Sequence, residues 1–279
     1  MHPAQAAMLP DGRRLHLHHG PIDLVIEVFG PGRVAAYTRL IARFETLLGD
    51  LVVHLPELRG QRPWPDVLDP VARRMITAVS RFDQFITPMA AVAGSVADEM
   101  LCAIQADPQI DKAYVNNGGD VAFHLGEGHT MVAAAPGFGM ITIGADTPVR
   151  GMATSGWGGR SHSLGIADSV TVLARCAAAA DAAATLIANA VDLPGRSGIE
   201  RRPAQELAPD SDLGARLVTV GVPVLATPEK HAALARGQAV ARDFARRDLI
   251  IAAGLVLQEE TCVIDPSRML IENKDPIHA

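Results

Sequence analysis

Aromatic side chains are scarce in this sequence, at 4% of residues, with only two tryptophans and two tyrosines. A core with so few rings must depend on small side chains that let backbones approach closely, and alanine and glycine supply much of the apolar share. Cysteine is equally thin. Cys102, Cys176 and Cys262 lie far apart, form no CxxC pair and are odd in number, which argues against a disulfide framework. They are expected to be buried small hydrophobes in a reducing compartment. Basic runs are missing too, and the formal net charge is -6. A phosphate-backbone binder needs a concentrated positive face, so nucleic acid is not an expected partner. No stretch approaches the roughly 20 uninterrupted apolar residues that span a bilayer, and residues 1–14 lack an apolar signal-peptide core. The expectation is a cytoplasmic protein with no membrane partner.

What remains is ordinary globular material, 279 residues with 48% hydrophobic and 20% charged side chains. Residues 1–14 read as a loose tail, 15–268 as a single domain and 269–279 as a second tail. A strand is predicted at 22–29. Val34, Tyr37, Ile41, Phe44 and Leu48 then recur at helical spacing. The proline-rich segment 56–70 reads as a loop, followed by a helix from Val71 that buries Met75, Val79 and Phe82. A small-residue helix runs from Met89, with Gly94 permitting a close approach. Short strands are predicted at 113–115, 121–125, 130–135, 140–144, 169–174, 217–220 and 249–257. Helices are predicted at 177–191 and 228–247, and loops at 150–165 and 194–212. The elements show no regular βαβ alternation, so the fold class is α+β. The alanine-rich helix 177–191 suits packing within a monomer or across a homodimer axis.

Three segments carry groups able to meet a small-molecule ligand. In Asn116-Asn117-Gly118-Gly119-Asp120, two glycines let backbone N–H groups approach an anion while Asp120 holds a hydroxyl. The same residues also make a good hairpin turn. The loop from Thr154, Ser155 and Gly156 through Arg160 to His162 gathers hydroxyls, a guanidinium and an imidazole. Arg160 can pair with phosphate or carboxylate. His162 is the general acid–base candidate because imidazole titrates near neutrality. On the helix 177–191, Asp181 and Thr185 are four residues apart and share a face. A carboxylate beside a hydroxyl supplies the hard oxygen donors that Mg²⁺ prefers, or Asp181 serves its helix end and Thr185 bonds a carbonyl. His16, His18 and His19 lack acidic or sulfur partners and are expected to be solvated.

Taken together, these segments resemble a known group. Ser169-Val170-Thr171-Val172 followed by Ala180-Asp181-Ala182-Ala183-Ala184-Thr185 resembles the strand-then-helix signature of ApbE, the FAD:protein FMN transferases. The Asn116 to Asp120 turn resembles that family's glycine-rich turn, and Ala91 to Asp98 falls where the family has a flavin-binding helix. A closer resemblance, over most of the chain, is to an uncharacterised family of shorter cytosolic proteins related to ApbE. It rests on Pro88 to Gly94, Asn117 to Asp120, Thr154 to Gly156 and His162 to Leu164.

The resemblance implies an ApbE-like α+β fold of mixed sheets with packed helices, FAD or FMN as ligand and Mg²⁺ as cofactor. Together with the residue chemistry, the leading reading places a ligand site at Asn117, Gly118, Gly119, Asp120, Thr154, Ser155, Gly156 and Arg160, a metal at Asp181 and Thr185, and catalysis by His162 and Asp181. The activity implied is a metal-assisted transferase or hydrolase, with a non-catalytic flavin or nucleotide binder as the alternative. Ala93 stands where the flavin transferases carry lysine, and the segment 162–168 lacks their Pro and Thr-Gly. Transfer of FMN onto a protein is therefore not expected.

Overall fold

A computed structural model describes residues 3–265, apart from 107 and 160. In chain order the elements are β1 (Gln5–Met8), β2 (Leu15–His19), β3 (Ile22–Phe29), α1 (Arg33–Val52), α2 (Leu55–Leu58), α3 (Pro70–Ser80), a 3-10 turn (Pro88–Ala91) and α4 (Val92–Gln105). Then come β4 (Lys112–Asn117), β5 (Asp120–Leu125), β6 (Thr130–Ala135), β7 (Gly139–Gly144), β8 (Gly151–Ser155), β9 (Ser169–Ala174) and α5 (Ala177–Ala190). The last elements are β10 (Glu200–Pro203), α6 (Ala204–Leu207), β11 (Leu217–Gly221), α7 (Thr227–Arg246), β12 (Ala252–Leu257) and β13 (Glu260–Ile264). This is the expected α+β class.

Where one domain over 15–268 is expected, the described residues group into two compact units. The first takes residues up to 131 with 144–153 and 175–181; the second takes 132–143, 154–174 and residues from 182 onward. The helix α5 thus starts in the first unit and continues in the second.

In the first unit the strand order is β1-β2-β3-β4-β5-β8, with every registered pair antiparallel. One cross-strand row shows how a core poor in rings is built. Leu15 faces Ile26, Ile26 faces Val115, Val115 faces Ala122, and Ala122 faces Gly151. Leu15, Ile26, Val115 and Ala122 are all buried. The side chains shrink along the row and vanish at its end, because a Cβ on Gly151 would lie 2.1 Å from the carbonyl carbon of Cys176. The taper lets the first turn of α5 settle against the sheet, which ties composition to packing.

The helices of this unit form by ordinary rules. Asp69 caps α3 by accepting from the Ala72 N–H at 2.7 Å, and Pro70 occupies the first turn. The buried residues of α1 are Ala36, Tyr37, Leu40, Phe44, Leu47, Leu48 and Leu51. Tyr37, Phe44 and Leu48 of the expected face are among them, whereas Val34 is 73% exposed and Ile41 half-buried. Residues 5–8, expected within a loose tail, instead form an edge strand against β2. His19, expected to be solvated, is buried edge-on against Phe44. The cysteines depart from expectation as well: Cys102 is exposed, and Cys176 and Cys262 are half-buried.

In the second unit β9, β12 and β13 form an antiparallel set, with α7 packed on β12 and β13. Gly237 on α7 leaves room that a Cβ would take from Val191, 2.4 Å away. The β6–β7 turn places Phe138 over Gly254, where a Cβ would fall 2.3 Å from the ring. Strand β8 occupies part of the predicted loop 150–165, because Met152 and Ala153 turn into the core. Similarly, β10 and α6 occupy part of the predicted loop 194–212. Among the described residues no helix is long and apolar enough to cross a membrane.

Candidate functional site

A set of buried and half-buried polar contacts in the first unit lies where α4 and α5 begin. Neither helix start is rich in capping side chains of its own, and each is capped from the other. Asp98 of α4 accepts from the N–H groups of Ala177 at 3.0 Å and Ala178 at 2.9 Å. Asp181 of α5 accepts from the Gly94 N–H at 3.0 Å. Helix N-termini carry orphan donors and a partial positive charge, so both carboxylates sit where they are most useful. Gly94 is required by distance: a Cβ there would lie 2.4 Å from the Ala177 carbonyl oxygen.

The turn between β4 and β5 reaches the same place. Asn117 pairs directly with Asp120, so Gly118 and Gly119 form a two-residue hairpin loop, at φ of +66° and +113°. The hairpin reading of this segment is therefore realised. Asn116 closes the loop by accepting from the Gly119 N–H at 2.9 Å. The buried Asn117 donates its side-chain amide to the Ala93 carbonyl at 3.1 Å. The backbone at 93–94 is thus held on its carbonyl side by Asn117 and on its amide side by Asp181. Gly118 and Gly119 remain exposed, so their backbone is open to approach.

Burial first, and then the negative charge of Asp120, push the Asp181 carboxyl well above the usual range, against the pull of the Gly94 and Ala93 amides. Burial also raises Asp98, while the Ala178 and Ala177 amides and Arg74 act in the opposite direction. Two carboxylates that disfavour each other's charge are a setting that a divalent cation relieves. Among the described residues no three His, Cys, Asp or Glu side chains gather as a metal-binding group. A cation here would therefore add hydroxyl, carbonyl or water oxygens to Asp120 and Asp181, which suits Mg²⁺. The oxygen donors of this pair are chemically compatible with such an ion.

The other expected residues belong to the second unit. The Thr154 hydroxyl meets that of Thr171 at 2.9 Å. Ser155 is half-buried, and Thr185 is half-buried on α5. Gly156 serves the loop itself, since a Cβ would lie 2.1 Å from the Asp168 carbonyl oxygen. The loop is closed by the Trp157 N–H on the Ala167 carbonyl and by the Trp157 indole on Asp168. His162 is half-buried, and its neighbour Ser163 anchors the segment by donating to Asn189 at 3.1 Å. Asn189 also accepts from the Leu164 N–H at 2.8 Å, and the Ser163 carbonyl accepts from the Thr219 N–H. Arg160 lies outside the described residues.

Sequence reasoning brought Asn117, Asp120 and Asp181 forward but missed Asp98 and Asn189. Asp98 carried a signal in hindsight: it is the first charge after the small-residue run from Ala90 to Ala97. Asn189 carried none, because its role depends on a loop more than twenty residues earlier in the chain.

Comparison with known proteins places these features in context. A family model described as AbpE bacteria matches residues 6–263. A UPF0280 protein of Methanothrix thermoacetophila is 37% identical over 131 residues, covering 45% of this chain and 54% of the relative. Another, from Methanobrevibacter smithii, is 35% identical over 130 residues, covering 44% of this chain and 52% of the relative. The chain thus spans about half the length of the curated relatives it matches. The crystal structure of the ApbE protein of Thermotoga maritima aligns with a TM-score of 0.50 at 12% identity, covering 94% of this chain and 97% of that one. At that identity the likeness concerns the fold alone, an ApbE-like one.

Proposed function

Because this chain belongs to the AbpE bacteria family, we propose that it is a small-molecule enzyme, a metal-assisted transferase or hydrolase acting on a flavin nucleotide or a related metabolite. The observation that carries this reading is the convergence of the Asn117–Asp120 turn and Asp181 on the backbone at 93–94. The exposed Gly118 and Gly119 amides suit an anionic phosphate, and Asn117 fixes the turn that presents them. Asp120 and Asp181 would hold Mg²⁺. The ion would supply charge neutralisation at a phosphoryl oxygen. His162 is assigned proton handling, and the anchoring of Ser163 by Asn189 limits the motion of its backbone. Thr154, Ser155, Gly156 and Arg160 are assigned to ligand contact.

Cleavage of FAD breaks the bond between its two phosphates. FMN passes to an acceptor hydroxyl or to water, AMP leaves, and the acceptor's proton is taken up by a base. Ala93 in place of lysine argues against a protein as that acceptor. The non-catalytic alternative draws support from Asp181, whose Oδ2 is already committed to the Gly94 amide. Prolonged incubation with FAD and Mg²⁺, followed by chromatography, separates the two. FMN and AMP in equal amounts, lost in His162→Ala, support the enzyme. Stoichiometric FAD returned intact supports the binder.

A further inference from the structure

Five arginines from three separate stretches of the sequence meet at one cavity of the first unit. Arg73, Arg74 and Arg81 come from α3 and its end, Arg150 precedes β8, and Arg175 precedes α5. The cavity encloses about 490 Å³, within the range of small-molecule sites. None of Asn117, Gly118, Gly119, Asp120 or Asp181 lines it. We infer that it is a second ligand site, built for a compact organic anion that combines a flat apolar body with a phosphate or carboxylate group.

Two of these guanidinium groups are held by neutral acceptors. Arg73 donates to the Val67 and Leu68 carbonyls, and Arg150 to the Ala145, Thr147 and Val149 carbonyls. These neutral acceptors fix the guanidinium positions without cancelling their charge. Arg74 pairs with Glu99. Asp98, the acidic residue on the lining, directs its two oxygens to the Ala177 and Ala178 amides. Planar guanidinium groups are suited to bidentate contact with phosphate or carboxylate.

The rest of the wall sets the ligand's body. Leu101, Phe123, Ala178 and Ala179, themselves buried, make the wall apolar behind the arginines, a setting for a ring more than for a bare inorganic ion. Cys102 and Cys176 also line the cavity. The Cys176 thiol is pushed up to about 11, by burial and then by the charge of Asp98. It remains a thiol near neutral pH, so binding and not covalent capture is the chemistry on offer.

The test is titration of the full-length protein with 1-naphthyl phosphate, with inorganic phosphate and 1-naphthol as charge-only and ring-only probes. The expected result is that naphthyl phosphate binds at least ~10-fold more tightly than either, since both halves of the site are then used. Arg81→Gln and Arg175→Gln should each weaken it by about 10-fold, on the order expected for one charge-assisted contact. Arg81→Lys, which keeps the charge and the fold, should weaken it less. Asp120→Asn and added FAD should leave it unchanged, which separates this site from the proposed flavin site. Undetectable binding by the wild type, or binding equal in all the arginine variants, overturns the inference. So does loss of binding on FAD addition or in Asp120→Asn, because the probe would then occupy the other site.

Discussion

Asp98 and Asp181 cap each other's helices: Asp98 on α4 receives the first amides of α5, and Asp181 on α5 receives the Gly94 amide of α4. The exchange locks two helix starts whose backbones touch at Gly94 and Ala177. It also holds the Asp181 carboxyl within reach of the negative charge of Asp120, which raises it.

The first prediction concerns Asp98. Replacement by alanine leaves two buried amides without partners, at a cost of about 2 kcal/mol, between a lost helix cap and a lost buried acceptor. Asp98→Asn keeps one acceptor oxygen and should lose less. Urea denaturation of both variants checks the order; an alanine variant as stable as wild type would contradict it.

Glycine substitutions give a second test. Gly94→Ala and Gly151→Ala push a Cβ to 2.4 and 2.1 Å from backbone atoms of the 176–177 segment. No side-chain rotation relieves such contacts, so each should cost about 2 kcal/mol or more, as overpacking does. Gly158→Ala, whose Cβ would enter open space, should change stability by less than about 0.5 kcal/mol. Equal melting temperatures for all three would refute the close-approach reading.

A third prediction follows from the raised Asp98 and Asp181 carboxyls. The native state holds more protons than the unfolded chain between the ordinary value of 3.8 and the raised native value. Stability from these groups is therefore fully present below the ordinary value and is lost as pH rises through the native one. Asp181→Asn, which stays neutral, should gain on wild type by about 1.4 kcal/mol per pH unit across that window. Parallel denaturation curves from pH 4.5 to 8 measure the difference; a constant gap would show that Asp181 is not perturbed.

Much of the fold was legible because local rules and tertiary packing agreed. The Ile22–Phe29 strand, the Ser169–Ala174 strand and α5 followed from β-branched runs and alanine spacing, and the Asn117–Asp120 turn followed from its glycines. The edge strands were harder. Residues 5–8 and β13 are short and lie beside a single partner strand, so pairing and not propensity defines them. Part of the candidate site was visible as residue types: Asn117, Asp120 and Asp181 stood out by their motifs. Asp98 did not, because its partners lie nearly eighty residues away at Ala177 and Ala178. The arginine cavity was invisible for the same reason. A chain without basic runs gathers five guanidinium groups only after folding.

The central claim, that Asp120 and Asp181 form a divalent-cation-dependent flavin site, is tested most directly by titrating the protein with FAD in the presence and absence of Mg²⁺. The account predicts binding at least ~10-fold tighter with Mg²⁺, a difference of one decade being about 1.4 kcal/mol. It predicts that Asp120→Asn and Asp181→Ala both lose that enhancement. Wild-type FAD affinity that ignores Mg²⁺, or an enhancement that survives in both variants, would contradict it.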